Sequence, residues 1–184
     1  MARTPTKQIP LGFKAPDFNL INVVNNQLES LLDVKKENGL VVMFICNHCP
    51  FVVHVIDEII NIANGYLEKE IGFVAISSND IINYPDDSPE KMKSLAVKKS
   101  FPFSYLYDES QEIAKAYDAA CTPDFSVFDG DLKCVYRGQM DSSRPGNEHS
   151  NNGEDLRKVL DYLLLNKSID FEQNPSIGCN IKWK

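Results

Sequence analysis

Apolar positions along the chain fall into two alternating patterns. Residues 39–45 and 71–76 are short unbroken apolar runs, as expected of strands covered on both faces of a parallel sheet. Between them Phe51, Val52, Val55, Ile56, Ile59, Ile60 and Ala63 recur every three or four residues, which predicts a helix of about 16 residues with one wide apolar face. That helix opens at Pro50, a residue suited to the first helical position because an N–H there has no intrahelical partner to lose. Residues 77–89 are polar, and Ser88-Pro89-Glu90 marks entry to a helix over 90–99. A short strand at 104–107 and a helix over 110–119 follow. Runs at 125–128 and 132–136 flank Asp129-Gly130-Asp131, a hairpin signal. Residues 142–153 are polar and expected to be mobile, and 154–165 carry the last amphipathic helix.

The ends are less regular. The first 38 residues read as an extended lead-in, with a strand-like segment at 15–21, a turn at Asn25-Asn26 and a short helix near 29–34. The tail from 169 to 184 is irregular in pattern, yet Ile177, Cys179, Ile181 and Trp183 predict that it packs down. Strand and helix alternate twice, then a further helix, an antiparallel hairpin and a last helix follow. This is an α/β, thioredoxin-like arrangement: a mixed central sheet flanked by helices, with an N-terminal extension and a packed C-terminal tail. With no linker or repeat, residues 1–184 are expected to form a single domain.

Composition narrows the function. The chain is 43% hydrophobic and 24% charged, as in ordinary globular proteins. A net charge of −7 argues against nucleic acid or an anionic membrane as partner, since both favour a basic surface. No apolar run approaches the roughly 20 residues of a membrane span. The first ten residues lack the apolar stretch of a signal peptide, so a cytoplasmic location is the default expectation. Five cysteines, an odd number spread through the chain, do not suggest a secreted disulfide scaffold.

Two of them stand close, in Cys46-Asn47-His48-Cys49, where the first core strand runs into the helix. A thiol there faces the positive end of the helix dipole and unpaired backbone N–H groups, which favour the reactive thiolate. A structural zinc site would need two further ligands, usually a second close pair, and the other cysteines are isolated in sequence. Metal binding and cofactors are therefore not expected. In thioredoxin-type motifs the first thiol lies about five residues past the last strand aromatic; counting from Phe44 points to Cys49 as nucleophile and puts Val52 at the usual second thiol position. Cys46 is the first candidate to resolve a mixed disulfide, with Cys121 and Cys179 behind it. His48 is a candidate for tuning a thiolate, or else a solvated loop residue. His54 reads as structural, His149 as uninvolved and Cys134 as core. Cys121-Thr122-Pro123 precedes a strand, and Pro123 is the candidate cis proline that leaves a backbone edge for substrate. Asp80, Asp86 and Asp87 read as a solvated acidic loop, lacking calcium-loop spacing.

Several segments together resemble the AhpC/TSA (redoxin) family, in its peroxiredoxin-like branch: Ala15-Pro16-Asp17-Phe18, residues 44–51, Ser78-Asn79-Asp80, residues 108–111, Ala116-Tyr117, Cys121-Thr122-Pro123-Asp124 and the ending from Ile177 to Trp183. The resemblance implies thiol-based oxidoreductase or antioxidant activity on a protein or small-molecule disulfide, or a peroxide, with electrons from a thioredoxin-type thiol donor. The alternatives are a thiol peroxidase and a redox-inactive binding module. There are departures from the peroxiredoxin Pro-x-x-x-Thr-x-x-Cys loop. With Cys49 as its cysteine, Val42 stands at the proline and Cys46 at the threonine; with Val52 there, as the count from Phe44 favours, the peroxidatic cysteine itself is absent, and the arginine position falls near Pro123.

Overall fold

The computed structural model describes residues 3–184. It opens with β1 (Arg3–Pro5), β2 (Asn19–Asn22), β3 (Leu28–Ser30) and the single turn α1 (Leu31–Val34). The core follows as β4 (Gly39–Phe44), α2 (Pro50–Leu67), β5 (Ile71–Ser77), α3 (Pro89–Lys99) and β6 (Ser104–Tyr107). Then come α4 (Glu112–Ala116), β7 (Cys121–Thr122), β8 (Asp124–Phe128), β9 (Cys134–Gly138), α5 (Glu154–Leu164) and β10 (Ile177–Asn180). Seven strands make the main sheet in the order β3-β2-β6-β5-β4-β8-β9. β4 pairs in parallel with β5 and antiparallel with β8, so the sheet is mixed as expected.

Alternation along β4 explains its unbroken apolar run. Val41, Met43 and Ile45 join the cluster under α2 and α5, with Val52, Ile56, Ile59, Val159 and Leu160. Leu40, Val42 and Phe44 point to the other face, against Phe18, Val74, Leu106 and Tyr117. Each face of the sheet is therefore covered, which is why β4 and β5 tolerate no polar position until Ser77.

Four expectations need correction. The tail is not irregular: β10 pairs with both β1 and β7 in a second, three-stranded sheet. Gly178 makes this possible, because a Cβ there would lie 1.9 Å from the Thr122 carbonyl oxygen. The helix at 110–119 shrinks to α4, since Gln111 and Asp118 take left-handed conformations with φ of 66° and 52°. The second hairpin strand starts at Cys134 rather than 132, because Leu132 (φ 61°) belongs to the turn. Segment 142–153 is tied down: Ser143 N–H donates to Asp141, whose other oxygen accepts the N–H groups of Asn152 and Gly153.

Candidate active site

At the end of β4 the backbone continues one residue further, Ile45 N–H donating to the Ile76 carbonyl at 3.0 Å, before the chain turns. Cys49 is the N-cap of α2, with Pro50 in the first turn, and its carbonyl accepts Val53 N–H at 2.9 Å. The thiol thus stands at the positive end of an 18-residue helix. It is fully buried.

Two other thiols act on it. Cys179 Sγ, from the tail strand β10, is 2.8 Å from Cys49 Sγ. The Thr122 carbonyl oxygen lies 3.1 Å away and accepts the proton of the neutral thiol. Once that proton is lost, donors surround the sulfur. A hydrogen bond from Cys46 lowers the Cys49 pKa most; burial opposes it; Cys179 and the backbone amides of Val52 and Cys179 add to the lowering. The result is a thiol brought down to about 5. The donors move the other way: Cys46 is pushed well up by Cys49, burial and the Asp87 charge, and Cys179 is pushed up to about 12 by burial and Cys49. Cys46 lowers the Cys49 pKa more than Cys179 does, while the 2.8 Å sulfur–sulfur approach belongs to Cys179 and the Cys46 thiol lies 3.4 Å from the Thr122 hydroxyl.

The Thr122–Pro123 bond is cis, and Thr122 faces Cys179 across the β7–β10 pair. Its hydroxyl lies 3.4 Å from Cys46 Sγ. Cys121 alternates to the other side of β7, 3.9 Å from Thr6 Oγ1 and 3.5 Å from the Pro123 carbonyl. It makes no hydrogen bond to Cys49 among the described residues, and burial raises its pKa well above the usual thiol range. Cys134 sits in the core and is pushed up to about 12 by burial. His54 bonds Ser143 Oγ at 2.6 Å, and His149 is exposed.

The acidic loop is not a solvated surface. Of its three aspartates only Asp86 is exposed, while Asp80 and Asp87 are buried. Asp87 Oδ1 accepts the backbone N–H groups of Asn47 (2.8 Å) and His48 (3.3 Å), and Oδ2 accepts Asn79 Nδ2 at 2.7 Å. His48 is not a solvated loop residue either: Nδ1 lies 2.7 Å from Asp87 Oδ2, and its ring stacks on Tyr84 at 5.6 Å. Asp87 shapes the 46–49 loop and was missed in the sequence. The available signal was topological, since loops leaving the same ends of neighbouring parallel strands gather together. Cys46 Sγ, a His48 ring nitrogen and an Asp87 carboxylate oxygen lie within 4.8 Å of one another and are the residues able to hold a metal.

A family model described as Redoxin matches residues 10–156. No curated relative matches the sequence. Among solved structures, an uncharacterized conserved protein from Geobacillus kaustophilus is 55% identical, with TM-score 0.98, covering 100% of this chain and 97% of its own. A hypothetical protein from Sinorhizobium meliloti is 42% identical, with TM-score 0.95 and 98% coverage of both chains. The thioredoxin domain of a thiol-disulfide oxidoreductase from Bacteroides vulgatus shares the fold at TM-score 0.64 and 15% identity, covering 83% of this chain and 99% of that one.

Proposed function

The chain belongs to the Redoxin family, and on that premise we propose that it is a thiol–disulfide oxidoreductase with Cys49 as nucleophile and Cys179 as resolving thiol. The observation that carries this reading is the thiol at the N-cap of α2 with a second sulfur 2.8 Å away. Cys49 thiolate attacks one sulfur of a substrate disulfide, forming a mixed disulfide and releasing the other half as thiolate. Cys179, after losing its proton, attacks Cys49 Sγ and expels the second half. The substrate gains two electrons and the protein holds a Cys49–Cys179 disulfide. An external thiol donor of thioredoxin type returns it to the dithiol. The tail strand lies directly over Cys49, which favours a small-molecule disulfide over a folded protein as substrate.

A peroxidase reading has less behind it. The hydrogen-bond partners of Cys49 among the described residues are thiols and backbone groups, not the arginine a developing peroxide oxyanion would want. Oxidation of Cys49 by hydrogen peroxide is expected to be no faster than that of free cysteine compared per thiolate. A redox-inactive binding module would have no use for a thiol held at about 5.

Reaction of the reduced protein with oxidised glutathione tests the proposal. One disulfide should be consumed per chain, and Cys49→Ser should abolish the reaction. A Cys49→Ser protein reacting as fast as the parent would overturn it.

A further inference from the structure

We propose that Cys46, His48 and Asp87 form a binding site for a divalent metal ion of the zinc type. Thiolate, imidazole and carboxylate together suit zinc, with three protein ligands and one position left to water. The sequence supplied only a cysteine pair for such a site. The fold adds a carboxylate 41 positions from Cys46, within 4.8 Å of both the thiol and the imidazole.

The ligands are held as a metal site requires. Asp87 uses both lone-pair directions of Oδ1 on backbone amides and one of Oδ2 on Asn79, whose own Oδ1 accepts Lys182 N–H. The remaining direction of Oδ2 faces His48 Nδ1. That nitrogen is buried, and its close approach to the carboxylate is not aligned as a hydrogen bond. Stacking on Tyr84 fixes the ring plane. Ordered outer partners of this kind orient ligands before a metal arrives.

Charge points the same way. Asp87 is fully buried, and its ion-pair partner among the described residues is the His48 ring, with no lysine or arginine beside it. Buried carboxylates are paired or coordinate metals. His48 provides the way in, being part of a surface cavity with Asn47, Asp86, Lys91 and Leu95. Binding replaces the Cys46 S–H bond with a metal–sulfur bond and releases one proton to water. It therefore withdraws from Cys49 the thiol that most favours its ionisation.

The rival arrangement is a metal held by Cys49 and Cys179, and the test separates the two. The reduced, chelator-treated Cys49→Ser/Cys179→Ser double variant is titrated with Zn2+ against a chromophoric chelator, and with Co2+ by absorption spectroscopy. The expected result is one ion per chain, a thiolate–cobalt charge-transfer band that Cys46→Ser removes, and affinity lost by at least about 10-fold in His48→Gln. Because His48 is the partly exposed ligand, that variant also reports if Asp87→Asn fails to fold. Absence of stoichiometric binding in the double variant, or binding indifferent to Cys46→Ser and His48→Gln, would overturn the proposal. The double variant lacks the redox couple, so this outcome is independent of the disulfide chemistry.

Discussion

Two buried polar clusters lie at different places in this fold, and they are built in opposite ways. Around Arg137 on β9 each guanidinium nitrogen is hydrogen-bonded. Nε bonds the Lys7 carbonyl, Nη1 the Tyr117 carbonyl and Ser126 hydroxyl, and Nη2 the Asp118 carbonyl while standing 3.6 Å from Asp124. That cluster ties the N-terminal lead-in and the α4–β7 connection to the sheet edge. Around Cys49 three thiols compete for protons, and beside them the His48 nitrogen lacks an aligned partner. A satisfied network holds structure. A network with competing or incomplete partners is where protons, sulfurs and ligands exchange.

If that contrast holds, substitutions should separate stability from chemistry. Arg137→Leu leaves Asp124 buried without its cation and several carbonyls without their donor, and should cost about 3–5 kcal/mol in urea denaturation. Cys49→Ser should change the same measurement by about 1 kcal/mol or less while abolishing disulfide reduction. Equal destabilisation by the two would remove the distinction.

Cys46→Ala probes tuning within the thiol cluster. Removing the leading donor raises the Cys49 pKa, and a return to the ordinary value near 8.5 would cut the thiolate present at pH 7 by about 30-fold. In the parent, measured in chelator, a lowered acid is ionised above its pKa. Thiolate absorbance missing from Cys49→Ser should therefore appear as pH rises through about 5, and reaction with disulfide should fall below it. A parent midpoint near 8.5 would contradict the site as described.

Gly178→Ala tests the tail. A methyl group 1.9 Å from the Thr122 carbonyl must push β10 from β7, carrying Cys179 away from Cys49. The second step should slow by about 10-fold, equivalent to about 1.4 kcal/mol of lost positioning, so that mixed disulfide with glutathione accumulates in mass spectra. The first attack should change less than the second step, because Cys46 and the Val52 amide still favour the Cys49 thiolate.

Much of this architecture is legible in the chain because it is local. The strand at 39–45 and the helix from Pro50 follow from runs and spacing, the thioredoxin-like order follows from them, and that order marks Pro123 as the cis position. Cys49 as the thiol at the helix start is legible for the same reason. What was hidden depends on contacts distant in sequence. Cys179 meets Cys49 across 130 positions, through a strand whose pattern looks irregular because pairing, not periodicity, orders it. Asp87 looked like a surface acid because charge alone suggests exposure; only the approach of the 46–49 loop explains its burial. Cys121 looked available by proximity to Pro123, but strand alternation turns it away.

The central claim is that Cys49 bonds with Cys179 while Cys46 tunes it. Mild oxidation of the parent followed by mass spectrometry of disulfide-linked peptides tests this most directly. A dominant Cys49–Cys179 peptide is the predicted result, and a dominant Cys46–Cys49 peptide would contradict it.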